Sequence, residues 1–510
     1  MTDDQHDVAA FLADPATHAG VPVERVDTHG AIVFIAGERA FKLKRAVKFS
    51  YLDYSTVARR RAACEAELAL NRRTAPSLYR SVEPITRRAG GGLALGGNGE
   101  AVDWVLVLRR FDRSLEFDRL AAAGTLTPAL AARLARVVAR FHAGERPVAG
   151  FGGARGIADI LAENRTEFAR QAAVLAPADA ALADAACREA FAPHATLLDA
   201  RAAAGRVRRC HGDLHLGNVV LIDDAPTLYD AIEFSDEIAT IDVLFDLAFL
   251  LMDLEMRATR AHANAALNAY LEEAPEDAGL AALPLFLALR AAIRAHTRAA
   301  ASQAQDDPAR RERLAEDARR HLAAVRGMLE RPAPRLIAVG GVSGTGKSTL
   351  ARALAPGFGG ACGAVILRSD VLRKRRAGVA ATEALPPERY TKAESEAVYA
   401  AMFHGAETLL AAGRAVVLDA VFLRPDEREA AAALARRLGL RFDGLWLEAP
   451  RDVAASRIAS RSGDASDATA AVLARQLEAA APVTDWTTIA ATGDSGAVAE
   501  AARAAVGRAS

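Results

Sequence analysis

The sequence predicts two domains, an α+β half at residues 1–330 followed by an α/β half with a parallel sheet at residues 331–510. Three observations carry this expectation. At 510 residues the chain exceeds one ordinary domain and has room for roughly two to four. The segment "GMLERPAPRL", with its two prolines, breaks a long alanine-rich helical pattern near residue 330. Beyond it strands alternate with helices, the pattern of a parallel sheet covered on both faces.

The elements follow in order. Residues 22–45 read as short strands, "AIVFIAG" and "RAFKLKR", separated by Gly37 and Glu38. A charged helical pattern runs from about Ser55 to Arg73, and "WVLVLRRF" is a further strand. "RRAGGGLALGGNGE" is a glycine-rich hairpin or loop. From Thr125 to Ala324 helical spacing dominates, interrupted at 206–234 by "RVRRCHGDLHLGNVVLIDDAPTLYDAIEF". In that stretch Val219–Ile222 and Thr227–Tyr229 are apolar runs around Asp223, Asp224 and Pro226, so a hairpin is expected. After residue 330 come "RLIAVGGVSGTGKSTLARALA", then the strands "AVILRSD", "AVVLDAVF" and "RFDGLWLEAP" with helices between them.

Composition narrows the class. Lys plus Arg and Asp plus Glu balance at 64 each, so no global field draws the chain to nucleic acid or an anionic membrane. Cys64, Cys187, Cys210 and Cys362 lack metal or framework spacing and read as ordinary thiols of a reducing compartment. The N-terminus is acidic, without the pattern of a secretory signal, and "VLFDLAFLLMDL" is too short to span a bilayer. A soluble, cytoplasmic protein is expected.

"GVSGTGKST" fits G-x-x-x-x-G-K-[ST] between an expected strand and an expected helix. Gly341, Ser343, Gly344, Thr345, Gly346, Lys347, Ser348 and Thr349 form the phosphate cradle. The backbone N–H groups wrap the phosphates, Lys347 reaches the β/γ-phosphates and the Ser348 hydroxyl takes magnesium. Asp370 follows the second strand, at the ligand-bearing edge of such a sheet, where a carboxylate could accept a hydroxyl proton. The third strand ends in Asp419 with Ala420 after it, not the Glu of motor ATPases, and no Asn-Lys-x-Asp guanine reader is present. Arg457 and Arg461, one helical turn apart, could close over the transferring phosphoryl group. Together "RSDVLRK", "VVLDAVF" and "RIASRSGDASDA" resemble the small P-loop kinases related to gluconate kinase and the kinase domain of phage polynucleotide kinase. That resemblance covers about residues 335–490 and implies an ATP-dependent kinase with Asp370 as base.

In the first half, folding the hairpin places Asn218 beside Asp230, with Asp213 in the loop before them. Two oxygen ligands and an upstream carboxylate suit magnesium and a hydroxyl that must lose a proton. "HGDLHLGN" is similar to the catalytic loop of the aminoglycoside phosphotransferase family, whose fold is that of protein kinases. The resemblance implies Asp213 as base, Asn218 as magnesium ligand and Asp230 as the metal-binding Asp. His211 is expected to brace the loop, and Asp242 and Asp246 to cap a helix and brace the same loop. The nucleotide lysine is expected on "AFKLKR"; Lys42 and Lys44 share a face, with Lys42 favoured by the Ala-x-Lys pattern. Its helix partner is Glu67 or Glu65. The glycine loop G-x-G-x-x-G is missing before this strand, where only Gly30 and Gly37 occur.

The order of the halves resembles bifunctional aminoglycoside phosphotransferase/ATP-binding proteins over nearly all of the chain. It implies two kinase sites, each using ATP and Mg2+ on a hydroxyl group of a small metabolite. The alternatives are a nucleotide sensor with one active half, or a polynucleotide 5′-hydroxyl kinase whose "RSDVLRKRR" tracks a phosphate backbone. "YLEEAPEDAG" (270–279), acidic enough to attract a polycation, is expected in a solvated turn.

Overall fold

The computed structural model describes residues 3–28, 30–48, 52–460, 465–480 and 482–508. Helix α1 (Asp3–Ala13) precedes a six-stranded antiparallel sheet of β1 (Val23–Asp27), β2 (Ala31–Ala36), β3 (Arg39–Lys44), β4 (Tyr79–Arg87), β5 (Leu93–Leu95) and β6 (Ala101–Arg109). Their order is β1-β2-β3-β6-β4-β5. Helix α2 (Val57–Asn71) lies between β3 and β4 in the chain and starts at Thr56, whose hydroxyl accepts from Arg59 N. The two-residue strand period sorts the side chains of β3. Phe41 and Leu43 join Val8, Leu12, Ile32 and Phe34 in the core beneath α1, while Lys42 and Lys44 turn to the opposite face and meet Glu67 of α2.

Helices α3 (Phe117–Ala122), α4 (Pro128–Gly144), α5 (Gly153–Arg170), α6 (Pro177–Phe191) and α7 (Ala195–Ala203) follow. Strand β7 (Val207–Arg209) leads to the hairpin of β8 (Val219–Ile222) and β9 (Ala225–Leu228), then to α8 (Asp236–Ala239) and β10 (Thr240–Asp242), which pairs back to β7. Asp223 and Asp224 form the hairpin turn at φ 49° and 61°, the left-handed pair that matches the twist of the flanking strands. Helices α9 (Val243–Arg257), α10 (Arg260–Glu273), α11 (Leu283–Gln303) and α12 (Pro308–Leu329) complete the helical region. Ala278–Gln303 is long and apolar enough to cross a membrane, but 78% of its most apolar window is buried inside the fold, as in a core helix. All four cysteines are buried and none is in a disulfide.

The second sheet is parallel. Strands β11 (Arg335–Gly340), β12 (Val365–Arg368), β13 (Val416–Asp419), β14 (Arg441–Glu448) and β15 (Thr487–Ala490) lie in the order β12-β13-β11-β14-β15. Helices α13 (Lys347–Leu354), α14 (Ser369–Ala377), α15 (Lys392–Ala411), α16 (Pro425–Arg437), α17 (Arg451–Ala459), α18 (Ala470–Ala479) and α19 (Ser495–Arg508) connect and end it. Ile337, Val339, Val417, Leu445 and Leu447 pack with Leu350 and Leu354 of α13 and with Ala502 and Val506 of α19. Such unbroken apolar runs are what strands covered on both faces require.

Packing divides the chain into two units that interleave along the sequence. One is Met1–Leu126, Arg140–Gly156 and Asp199–Asp253; the other is Thr127–Ala139, Ile157–Leu198 and Leu254–Ser510. The second unit therefore joins the parallel sheet to α10, α11 and α12, which precede the proline-containing segment. One local expectation is corrected here. The acidic stretch at 270–279 is a solvated turn only in part: Glu273, Pro275 and Asp277 are exposed, but Glu276 is buried, and Glu272 belongs to α10 and pairs with Arg136 and Arg368.

Candidate functional site

In the first unit a strand, a helix and a hairpin converge on one cluster of charges. Lys42 Nζ lies 2.8 Å from Glu67 Oε1 and 2.6 Å from Asp230 Oδ1. Burial alone would favour its neutral amine; the Asp230 and Glu67 carboxylates outweigh that and hold its pKa well above the ordinary value. Lys44, more deeply buried, contacts the other oxygen of Glu67 and the carboxylate of Glu233. Glu233 also accepts from the Tyr54 hydroxyl at 2.7 Å. Glu65 instead pairs with Arg61 on an exposed helix face, 2.8 Å away.

Asp230 sits just past the hairpin with φ 61°, a left-handed backbone that Asp tolerates better than most side chains. Its N–H donates to the Tyr79 hydroxyl at 3.1 Å, and the next N–H, of Ala231, donates to Asn71 Oδ1 at 2.9 Å. Across the hairpin base, Tyr229 N donates to Asn218 O at 3.0 Å, which sets Asn218 beside Asp230. Asn218 Nδ2 donates to both the carbonyl and the Oδ2 of Asp213 at 2.9 Å, which directs Asn218 Oδ1 away from that carboxylate. His215 Nε2 lies 3.3 Å from the same Oδ2. His215 was not singled out in the sequence, although its place in "HGDLHLGN" was a usable signal.

The loop is held from behind. Asp246 accepts from His211 N at 3.2 Å, Gly212 N at 2.9 Å and, at 3.0 Å, lies against His142 Nε2. His211 Nε2 faces Tyr229 O at 2.9 Å, so this nitrogen carries the proton. Burial lowers the His211 pKa and keeps the ring neutral. Asp242 pairs with both Nε and Nη2 of Arg201 at 2.7 and 2.8 Å and caps α9 through Leu244 N. The oxygen-rich set of Asn218 and Asp230 fits a hard cation such as magnesium.

In the second unit the loop Gly341–Ser348 joins β11 to α13. Gly341, Gly344 and Gly346 adopt φ of 140°, 84° and 95°. A Cβ on Gly344 would sit 2.3 Å from Ala454 O, so only glycine fits there. Ser343 N donates to Gln476 Oε1 at 2.7 Å, the Thr345 hydroxyl donates to Val342 O at 2.8 Å, and Lys347 Nζ donates to Val342 O at 3.0 Å. Thr349 follows within the first turn of α13. The Ser348 hydroxyl donates to Asp419 Oδ2 at 2.6 Å, an oxygen pair suited to magnesium. Arg457 Nη1 reaches Thr345 O at 3.4 Å; Arg461 lies outside the described residues.

Asp370 stands in the first turn of α14. Burial, and after it the Asp419 carboxylate, raises its pKa against the opposing charges of Lys347 and Arg368. The basic run beside it, of which Lys374 is buried and Arg375 and Arg376 are exposed, makes contacts to the protein's own groups. Arg373 stacks on Tyr390, Lys374 pairs with Asp467 at 2.9 Å, Arg375 donates to Leu271 O at 2.8 Å and Arg376 pairs with Glu394 at 2.9 Å.

Two family profiles cover this geometry. Residues 53–286 match a phosphotransferase enzyme family, and residues 336–483 match a family described as an AAA domain. An uncharacterized protein of Mycobacterium tuberculosis is 32% identical over 470 residues, spanning 91% of this chain and 90% of its own length. An uncharacterized protein of Mycobacterium bovis matches equally, at 32% over 470 residues. The chain belongs to the family of these mycobacterial proteins. This chain joins an aminoglycoside phosphotransferase-type domain, with its protein-kinase-like fold, to a P-loop kinase domain. Both are kinase-type domains, so the family assignment makes the chain a phosphotransferase. Among solved structures, the chain is similar to a gluconokinase from Sinorhizobium meliloti, at 24% identity over 35% of this chain and 94% of that one, with TM-score 0.27. It is also similar to a choline/ethanolamine kinase family protein from Mesorhizobium loti, at 18% identity over 63% of this chain and 99% of that one, with TM-score 0.36.

Proposed function

We propose that the chain carries two phosphoryl-transfer sites, one within residues 1–330 and one within 331–510, each moving the γ-phosphate of ATP to a hydroxyl of a small metabolite. The observation that carries this reading is two separate clusters of cationic, amide and oxygen-bearing groups suited to phosphate and magnesium, each with a carboxylate suited to be a base. In the first, Lys42, fixed by Glu67, binds nucleotide phosphate, and Asn218 and Asp230 hold magnesium. Asp213, oriented by Asn218 and His215, accepts the proton of the acceptor hydroxyl. In the second, the backbone from Gly341 to Thr349 cradles the phosphates, Lys347 follows the charge, and Ser348 with Asp419 holds magnesium. Asp370 is the base there, and Arg457, whose guanidinium reaches the P-loop at Thr345 O, supplies positive charge at the transferring group. When bound, magnesium neutralises phosphate charge at both sites.

Small acceptors are favoured over a polynucleotide because the cations of "RSDVLRKRR" already have partners in the protein: Lys374 is buried against Asp467, and the exposed Arg375 and Arg376 are engaged by Leu271 O and Glu394. The test is a screen of hydroxyl metabolites for ATP-dependent phosphate transfer, repeated on Asp213→Asn, Lys347→Ala and the double mutant. Each single mutant should lose one set of acceptors and the double mutant both. A folded single mutant that silenced every acceptor would replace two sites with one.

A further inference from the structure

Strand β12 is an edge of the parallel sheet, and an edge strand presents unpaired N–H and C=O groups that need cover. Helix α10 supplies the cover. Asn264 Nδ2 donates to Cys362 O at 2.7 Å and Ala364 O at 2.9 Å. Asn268 Nδ2 donates to Ala364 O at 3.2 Å while its Oδ1 accepts from Ile366 N at 2.7 Å. At the end of α10, Arg375 Nη2 donates to Leu271 O at 2.8 Å and Glu272 O at 3.3 Å, placing a cation on the carbonyl end of the helix. The last turn of α10 is thereby fixed beside the end of β12.

Arg368 ends β12, and its buried guanidinium lies between two carboxylates. Nε donates to Asp419 Oδ2 at 3.3 Å and Nη2 donates to Ser348 Oγ at 3.2 Å. On the other side, Nη1 lies 3.6 Å from Glu272 Oε1, whose second oxygen is held by Arg136 Nη2 at 2.9 Å. The oxygens that Arg368 contacts are those assigned above to magnesium. A guanidinium and a divalent cation on the same oxygens repel each other strongly at such separations. Glu272, with Asp370 also nearby, is a carboxylate placed to hold the guanidinium away from those oxygens.

We infer that Glu272 and Arg368 are a positioning pair for the P-loop site: Glu272, from a helix encoded before residue 330, draws Arg368 off Ser348 and Asp419 and so sets the magnesium affinity of the nucleotide site. This rests on the reading of Gly341–Thr349 as a nucleotide site. Arg368 acts through Ser348 and Asp419, and Glu272 acts through Arg368.

The test titrates a non-hydrolysable ATP analogue into the full chain by calorimetry over a series of Mg2+ concentrations, with the P-loop site defined as the binding lost in Lys347→Ala. Glu272→Gln should raise the Mg2+ concentration needed for half-maximal nucleotide binding at that site about 5- to 150-fold, the span of ordinary coupling between sites. Glu272→Asp, which keeps the charge, should restore most of the affinity. In an Arg368→Gln background the penalty of Glu272→Gln should vanish, because the cation it controls is gone. Thermal unfolding identifies variants that fold; if Arg368→Gln does not, the contrast between Gln and Asp at position 272 decides. An unchanged Mg2+ requirement in Glu272→Gln, equal loss in Glu272→Asp, or a full penalty persisting beside Arg368→Gln overturns the pair. If Lys347→Ala removed no binding, the nucleotide-site reading itself would fall instead.

Discussion

Lys42 reaches Asp230 across 188 residues of chain, and Glu67 arrives from a helix between them. The anion cradle proposed for the P-loop consists of consecutive backbone groups, bent by three glycines at positive φ. One site is thus an agreement among side chains brought together by tertiary folding, and the other is a local shape of the main chain. The difference teaches where each is vulnerable. Removing a charge from the first leaves buried partners behind, whereas adding a single carbon to the second collides with a carbonyl.

The largest effects should come from the reacting groups, and they should not cross between sites. Asp213→Asn is expected to lower first-site turnover by about two to four decades with nucleotide affinity nearly intact. Lys347→Ala is expected to lower second-site transfer by at least about two decades. Initial rates for both acceptors in both mutants measure this, and loss of both activities in either one would abolish the comparison.

Next in size is Lys44. Its buried ammonium faces Glu67 and Glu233, so Lys44→Met leaves two buried carboxylates without it. Such a change costs about 3–5 kcal/mol. Denaturant unfolding of the first unit should show that loss. Lys42→Ala should instead mainly weaken ATP binding, because Lys42 is the more exposed of the two. Equal stability losses in both mutants would mean that the cluster is structural throughout.

Gly344→Ala forces a Cβ against Ala454 O and an L side chain into a left-handed backbone, a strain of about 1–3 kcal/mol. Thermal unfolding and nucleotide binding at the second site should both suffer. Gly30→Ala, before β2, is the counterpart: nothing lies within 4 Å of its Cβ, and first-site activity should be unchanged.

The smallest effect is on pH dependence. Asp370 must be ionised to accept a proton, and its pKa is raised by burial and by Asp419. Second-site kcat/KM should therefore fall as pH falls through that raised value, above the ordinary carboxylate pKa of about 3.9. A pH profile in the Asp213→Asn background checks this; an acid limb at or below the ordinary value would remove Asp370 as the base.

The same contrast explains what the sequence made legible. "GVSGTGKST" could be read because its function lies in consecutive residues, and the hairpin could be read because Asp223 and Asp224 announce the turn. Asn218 and Asp230 followed from the hairpin alone. Lys42 and Lys44 could not be separated, since a strand places both on one face; tertiary packing distinguishes them by giving Asp230 to the first and Glu233 to the second. Glu67 and Glu65 differ only in which side of α2 meets the sheet. Nothing local in "YLEEAPEDAG" signals that Glu272 pairs with Arg368, and the acidity of the stretch pointed to solvent instead.

The asparagines of α10 also bear on how the chain is made. Asn264 covers Ala364, a residue 100 positions later. During synthesis from the N-terminus, strand β12 therefore emerges into a chain that already contains its edge cover, and an open edge is a common route to aggregation in newly made α/β proteins. The order of the two halves means that the later one meets its edge cover already made: a permuted chain beginning at Arg335 would have to expose that edge until the helix followed.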